Sequence, residues 1–218
     1  MQKKLIIVGA GGLGRIVHDV LVNDLQLARE YQISGFLDTR SELVLPAELS
    51  GQILGSPLHY EPKSGEVFMV AVGDPSWRRQ LVMPLAAKNA KFISYTRQAF
   101  IAGRSHFGPG SFITPGAIIS TDCKIGAYAY IDTNVILGHD VHIGDYCMLG
   151  AMSFLAGNVQ VGNGVAIHPR ATIGKGVRIG DGATIGLGSV VIKDVAANTT
   201  VFGNPARTIY SSTKYEKS

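Results

Sequence analysis

Residues 139 and 140 are a histidine and an aspartate, placed side by side in the stretch VILGHDVHIGDY, which is otherwise built largely from aliphatic and small residues. An imidazole can take up a proton near neutral pH, and an adjacent carboxylate can orient the ring and stabilise the imidazolium that forms. The pair therefore has the composition of a general base with an orienting partner. Spacing alone, however, favours a surface histidine in a turn.

A second candidate site lies near the N-terminus, where GAGGLG at residues 9–14 fits the pattern G-x-G-x-x-G. The glycines follow the predicted strand KKLIIV and open a predicted helix, and Asp38 stands at the end of a second predicted strand. This context matches a dinucleotide-binding fingerprint, in which a helix N-terminus receives a phosphate. A domain this short suits the mononucleotide-binding half of such a fold better than a full dinucleotide-binding domain. The alternative is that the glycines serve only a tight strand–helix turn.

The elements that must position His139 and Asp140 follow a six-residue period. Sixteen apolar residues recur at this spacing without an insertion: Ile101, Phe107, Ile113, Ile119, Ile125, Ile131, Leu137, Ile143, Leu149, Leu155, Val161, Ile167, Ile173, Ile179, Ile185 and Val191. The residue four positions after each of them is never larger than valine. Such a period indicates a repeat architecture, a parallel β-helix with one large and one small residue of each hexad pointing inward. His139 and Asp140 hold the third and fourth places of their hexad, in a turn outside the coil.

Residues 1–97 have a different rhythm, because predicted strands (KKLIIV, YQISGFLD, EVFMVAVGD) alternate with predicted helices (GRIVHDVLVNDLQLA, PSWRRQLVMPLAAKNA). This alternation predicts a small Rossmann-like parallel sheet. We therefore expect an α/β domain over residues 1–97 and an all-β domain over residues 98–218.

The composition excludes several classes of protein. The chain has 218 residues, of which 46% are hydrophobic and 17% are charged, and a net charge of +4 without a basic cluster. These values favour small anionic ligands over nucleic acid. No stretch is long enough to insert into a membrane. The two cysteines, Cys123 and Cys147, form neither a disulfide framework nor a zinc pattern, which favours the cytoplasm.

The repeats resemble the hexapeptide-repeat acyltransferases, whose fold is a left-handed parallel β-helix with three hexads per coil. The whole chain resembles the nucleotide-amino-sugar N-acetyltransferases and sialic acid O-acetyltransferases of that family, through GAGGLGRIVHDV, GFLD, AVGD, GHDVHIG, LAGNVQVG and VFGNPAR. With three hexads per coil, His139 lies between Thr121 and Gly157, and the glycine leaves room for a ligand. The resemblance implies acetyl transfer from acetyl-CoA to the amino group of a nucleotide-linked 4-amino-4,6-dideoxy sugar, in O-antigen synthesis or protein glycosylation.

The resemblance also assigns roles to residues. It makes His139 the general base and Asp140 its partner. It places the nucleotide sugar in the first domain, against Gly11, Gly12, Leu13, Asp38, Thr39 and Gly73, with Asp38 and Thr39 at the base. The family often has a second acidic residue where Thr39 stands.

For coenzyme A, the resemblance implies a groove between two β-helices of a homotrimer, with no metal, and contacts from Met148, Gly157, Pro169 and Leu187. Several family members have a second histidine where Met148 stands. Either a backbone amide is the oxyanion donor in this chain, or the geometry of the site differs.

Four alternatives stay open at this point. The acceptor could be a hydroxyl group of a sialic acid, or the protein could bind nucleotide sugars without catalysis. A zinc enzyme with three histidines between subunits is disfavoured, because no two histidines are separated by one coil of three hexads. A covalent acyl-enzyme at Cys147 is also disfavoured, because Cys147 falls in the inward small series.

Overall fold

The computed structural model describes residues 2–49 and 51–212, so the C-terminal tail at 213–218 lies outside the described residues. The chain forms two compact units, Met1–Ile93 and Ser94–Ser218. None of the helices in the described residues has the length and hydrophobicity needed to cross a bilayer.

The first unit is a parallel sheet with helices. Its elements are β1 (Lys3–Val8), α1 (Gly12–Val22), α2 (Leu27–Glu30), β2 (Tyr31–Leu37), β3 (Gln52–Gly55), β4 (Glu66–Val70) and α3 (Pro75–Ala87). The four strands are parallel in the order β3-β2-β1-β4. The last four residues of β1 and all of β4 are buried, as expected for strands of a parallel sheet with both faces covered.

The first helix differs from the prediction. The sequence predicts one helix over residues 14–28, but α1 ends at Val22 and a separate turn, α2, begins at Leu27. Asp24 accounts for the break, because its Oδ1 accepts the backbone N–H groups of Gln26 and Leu27 at 3.0 Å. An aspartate that bonds nearby backbone N–H groups favours a new cap over a continuing helix.

The second unit contains sixteen two-residue strands followed by a hairpin. The short strands are β5 (Phe100–Ile101), β6 (His106–Phe107), β7 (Phe112–Ile113), β8 (Ile118–Ile119), β9 (Lys124–Ile125), β10 (Tyr130–Ile131), β11 (Ile136–Leu137), β12 (His142–Ile143), β13 (Met148–Leu149), β14 (Phe154–Leu155), β15 (Gln160–Val161), β16 (Ala166–Ile167), β17 (Thr172–Ile173), β18 (Arg178–Ile179), β19 (Thr184–Ile185) and β20 (Val190–Val191). The hairpin is β21 (Thr199–Gly203) and β22 (Ala206–Ser211), which pair antiparallel.

The short strands form three parallel sheets, named here after their first strands: the β5 sheet (β5, β8, β11, β14, β17, β20), the β6 sheet (β6, β9, β12, β15, β18) and the β7 sheet (β7, β10, β13, β16, β19), which β21 and β22 extend. From β5 to β17, each short strand pairs with the strand three hexads later, as in Ile136↔Phe154 and His142↔Gln160. The predicted left-handed parallel β-helix of hexapeptide repeats is thus confirmed, with three hexads per coil.

The last coil is shorter than the repeat predicts. Val195 pairs with Ile179 and Thr200 pairs with Thr184, so each lies closer to its partner in the sequence than three full hexads. Val195, expected in the small inward series, therefore aligns with a large-series residue.

The two inward series form one continuous core inside the β-helix. The first coil is less enclosed, because Ile101 and Ser105 are only partly buried and Phe107 is 38% exposed. Between strands, the fourth residue of every hexad from Arg104 to Gly188 has a φ between 57° and 83°. This left-handed conformation favours glycine, asparagine and aspartate, and Asp140 occupies one such position.

Gly14 provides a test of the packing of α1 on β1. A Cβ atom at Gly14 would collide with the backbone oxygen of Gly9, whereas a Cβ at Gly12 would meet nothing within 4 Å. We expect Gly14→Ala to destabilise the first unit by about 1–3 kcal/mol, as overpacking does, and Gly12→Ala to have little effect. All the helices described belong to this unit, so chemical unfolding followed by circular dichroism at the helical band measures it. Equal stability of the two variants would contradict this packing.

Candidate active site

A cavity of about 520 Å³ lies in the first unit at the carboxyl ends of its parallel strands, where open α/β sheets bind ligands. It is lined by the turn from β1 into α1, by the residues that follow β2 and β4, and by the first turns of α3: Gly9, Gly11, Gly12, Leu13, Asp38, Thr39, Arg40, Ala71, Val72, Gly73, Trp77 and Leu81. The structure therefore brings together all six residues that the sequence assigns to the nucleotide sugar.

The turn from β1 into α1 depends on the absence of side chains. Gly9 has a φ of 103°, and a Cβ there would lie 2.5 Å from the backbone oxygen of Ala71. Gly11 is the N-cap of α1, with no side-chain cap and no acidic residue in the first turn. The free N–H groups at this helix end favour an anion.

Asp38 is the most strongly held charge in the cavity. Its side chain is 7% exposed. Its Oδ2 accepts the backbone N–H of Ala10 at 2.9 Å, and Arg40 binds both carboxylate oxygens. Burial pushes the pKa of Asp38 upward, but the hydrogen bonds from Arg40 and Ala10 outweigh burial and lower the pKa to about 2. Asp38 is therefore ionised at neutral pH.

Six of the twelve lining residues were not assigned from the sequence, and two of these six, Arg40 and Trp77, carry a charged or an aromatic polar side chain. Arg40 follows the predicted acidic residue by two positions at the end of β2, which was the available signal. Trp77 lies in the first turn of α3, where the N-cap Asp74 accepts its backbone N–H at 2.6 Å. A smaller cavity of about 250 Å³ shares Gly11, Gly12 and Arg40 and adds Arg15 and the segment 43–46.

In the second unit, His139 and Asp140 lie in the turn between β11 and β12. We call the column of such turns, at residues 103–104, 121–122, 139–140, 157–158 and 175–176, the His139 corner. His139 Nδ1 lies 2.7 Å from Asp140 Oδ2, and both side chains are half exposed. With the ring proton placed on Nδ1 and donated to the carboxylate, Nε2 keeps its lone pair.

Gly157 lies one coil beyond His139, as the sequence predicts. Its neighbour, however, is the His139 ring and not the expected ligand. A Cβ at Gly157 would lie 2.5 Å from His139 Nε2 and 2.8 Å from Cε1. The imidazole itself therefore fills the space beside Gly157 that was expected to hold a ligand. Any side chain at position 157 would collide with the ring.

One coil before His139, the same corner holds a charged pair. Arg104 binds both carboxylate oxygens of Asp122 at 2.7 Å, and the Thr121 hydroxyl donates to Asp122 Oδ2 at 2.9 Å. The hydrogen bonds from Arg104 and Thr121 lower the pKa of Asp122 to about 2.

The other residues expected at coenzyme A lie elsewhere on the β-helix. Met148 is on the outer side of β13 in the β7 sheet. Pro169 and Leu187 lie in the turns after β16 and β19, which form the corner between the β7 and β5 sheets. Within one chain, these three residues do not meet His139.

Neither cysteine is placed as a nucleophile. Both thiols are fully buried, and Cys147 Sγ donates to the backbone oxygen of Gly162 at 3.0 Å. Burial also raises the pKa of the Cys123 thiol. In residues 2–49 and 51–212, no three His, Cys, Asp or Glu side chains are grouped closely enough to bind a metal ion.

Comparison with known families and structures agrees with both units. The PglD N-terminal domain family matches residues 4–85, and the bacterial transferase hexapeptide family matches residues 122–157 and 158–193. No significant match was found among curated protein sequences.

Three solved structures are similar over nearly their whole length. The acetyltransferase domain of PglB from Neisseria gonorrhoeae is 24% identical with a TM-score of 0.85, covering 95% of this chain and 100% of its own, a likeness of fold. PerB from Caulobacter crescentus, solved with CoA and GDP-perosamine, is 27% identical with a TM-score of 0.81, covering 95% and 97%. WeeI from Acinetobacter baumannii is 25% identical with a TM-score of 0.68, covering 94% and 99%. Residues 4–85 therefore belong to the PglD N-terminal domain family, and residues 122–193 carry repeats of the bacterial transferase hexapeptide family.

Proposed function

We propose that the chain transfers an acetyl group from acetyl-CoA to the amino group of a nucleotide-linked 4-amino-4,6-dideoxy sugar, with His139 as the general base. The observation that carries the proposal is the contact between His139 and Asp140, with Nε2 left as the free ring nitrogen beside Gly157. The cavity around Gly11, Asp38 and Gly73 supports a nucleotide-bearing acceptor. Perosamine N-acetyltransferase of Caulobacter crescentus, 26% identical, was solved with CoA and GDP-perosamine.

The residues at the His139 corner suit direct transfer. The acceptor nitrogen attacks the thioester carbonyl carbon, a C–N bond forms, and the C–S bond then breaks. His139 Nε2 takes the proton that the nitrogen loses and returns it to the departing thiolate as coenzyme A leaves. The negative carboxylate of Asp140 stabilises the imidazolium between these two steps.

The donor requires a second copy of the chain. Because Pro169 and Leu187 lie on a different corner from His139, they can face the base only across an interface between neighbouring β-helices. Met148 completes the proposed donor contacts. A cytoplasmic location, where thiols stay reduced, suits the two free cysteines, and O-antigen synthesis or protein glycosylation would use the product.

The outer side of the β5 sheet supports a homotrimer. Its outward residues Phe100, Ile118, Ile136 and Phe154 follow one another along the column and are between 38% and 64% exposed. The corresponding residues of the β6 sheet are largely polar, with His106, Lys124, His142, Gln160 and Arg178. A continuous exposed apolar stripe of this kind marks an interaction surface, and it borders the His139 corner.

The reaction is tested by thiol release from acetyl-CoA with UDP-, dTDP- and GDP-linked 4-amino-4,6-dideoxy sugars. We expect turnover with one of them and a loss of about 10²–10⁴-fold in His139→Ala, the usual range for removal of a general base. His142→Ala, three residues away on the outer side of β12, should retain activity. Turnover that survives His139→Ala would remove His139 from its role, and turnover only with sugar hydroxyls would make the protein an O-acetyltransferase.

Gly157 gives a second test. An alanine at this position displaces the imidazole or covers Nε2, and a shift of about 1 Å in a catalytic group can cost about 100-fold in rate. We expect Gly157→Ala to lower kcat/KM by about that factor without loss of folding. Gly103→Ala is the matched control, because Gly103 has the same hexad place on the same corner and its Cβ would meet nothing within 4 Å. Equal activity of the two variants would argue against this placement of the ring.

Sedimentation tests the trimer. The wild-type protein should sediment at three times the chain mass of 23.2 kDa. Ile136→Asp should sediment as a smaller species and lose acetyl transfer, because it places a charge in the apolar stripe. Gln160→Asp, with the same charge change on the outer side of the β6 sheet, should remain trimeric and active. An active monomer in any of the three proteins would refute the shared site.

A further inference from the structure

The carboxylate of Asp38 has no capacity left for a ligand. Oδ1 accepts the backbone N–H and the Nε–H of Arg40, at 3.0 and 2.8 Å. Oδ2 accepts the Ala10 N–H and Arg40 Nη2, both at 2.9 Å. A carboxylate offers about four acceptor sites, so all of them are occupied. Asp38 cannot accept a hydrogen bond from a nucleotide base in this arrangement.

Arg40 is the group that faces the cavity instead. Asp38 occupies one edge of the guanidinium, the edge formed by Nε and Nη2. The opposite edge, formed by Nη1 and the second hydrogen of Nη2, makes no hydrogen bond to any residue that the structure describes. Asp38 therefore fixes the plane of the guanidinium and leaves a pair of parallel donors pointing away from itself.

The position of this edge suits the nucleoside end of the ligand. In related folds, the turn between the first strand and helix binds the phosphates, and the acidic residue at the end of the second strand faces the nucleoside. Arg40 follows that residue. Its charge is also offset by Asp38, so the pair is net neutral and offers a phosphate little electrostatic attraction. The free edge of Arg40 therefore contributes the direction of its two N–H donors, and not a net positive charge.

Two parallel donors require two adjacent acceptors. Guanine presents O6 and N7, both acceptors, and a bidentate arginine on these atoms is the commonest specific contact to a base in protein–DNA complexes. Adenine presents an acceptor beside a donor, and in uracil and thymine each carbonyl oxygen lies beside the N3–H donor. Cytosine does present two adjacent acceptors, O2 and N3, but its single ring covers less apolar surface than a purine does. Val72, Trp77 and Leu81 supply an apolar lining against which a purine can pack. We infer that Arg40, held by Asp38, recognises guanine, so that the acceptor is a GDP-linked sugar; this inference rests on the proposed function of the cavity.

The test measures binding of GDP, UDP, dTDP and CDP by calorimetry, with no acetyl donor present. We expect the wild-type protein to bind GDP about 10- to 100-fold more tightly than UDP and dTDP, the range for one bidentate contact. Arg40→Gln and Arg40→Lys should reduce that ratio to within about threefold, because neither side chain offers the fork. Arg15→Gln is the matched control, since it removes one positive charge beside the same glycines and should leave the ratio unchanged.

A guanine analogue locates the contact. In 7-deaza-GDP the N7 acceptor is replaced by carbon. We therefore expect the wild-type protein to bind 7-deaza-GDP about tenfold more weakly than GDP. The Arg40→Gln variant should bind the two nucleotides equally well. Thermal unfolding checks that the variants fold. We expect them to do so, because the side chain of Arg40 is 57% exposed.

The outcomes separate the inference from the proposed function. Tighter binding of UDP, dTDP or CDP, or an equal loss for all four nucleotides in Arg40→Gln, would overturn guanine recognition while leaving a nucleotide site. Absence of binding by every nucleotide would reject the substrate class of the proposed function, and the inference with it.

Discussion

The parallel backbone ladder between coils is the constraint on which the second unit depends. Hydrogen bonds such as His142 N–H to Val159 O and Gly138 N–H to Leu155 O, at 2.9 and 2.8 Å, hold successive coils in a three-hexad register. This register decides which turn residues become vertical neighbours. Because it holds, the His139 ring rests against Gly157 and not against a residue with a side chain. Position in the repeat therefore determines the environment of the His139 ring.

The repeat made the fold of this unit predictable, since sixteen hexads in one phase specify the inward residues and the number of hexads per coil. The sequence also correctly placed His139 outside the coil and Gly157 beside it. It could not tell that the ring fills the space over Gly157, because a side-chain rotamer is not encoded in spacing. Nor could it tell that the last coil shortens, since Val195 is small enough for the small inward series and apolar enough for the large inward series.

In the first unit, the pattern identified the glycine turn, Asp38 and the strands that carry them. It missed β3, whose four residues QILG are too few to show an alternation. It also missed Arg40, because a position two residues after Asp38 does not show that the side chain turns back onto the carboxylate. Local hydrogen bonding of this kind is decided by three-dimensional geometry. Asp38 was expected to contact the bound molecule directly, but its carboxylate instead accepts hydrogen bonds from the Arg40 guanidinium.

The hairpin that ends the β-helix has a consequence for the protein's behaviour at high concentration. A stack of parallel coils ends in an open strand edge, which is a template for adding strands from another molecule and so for growth into fibres. Here β21 pairs parallel with β19, but β22 then runs antiparallel to β21. The β7 sheet thus ends on a strand of the opposite direction, so the parallel, in-register addition that built every preceding coil cannot continue from it. In this one of the three sheets, the reversal therefore ends the parallel stacking of coils.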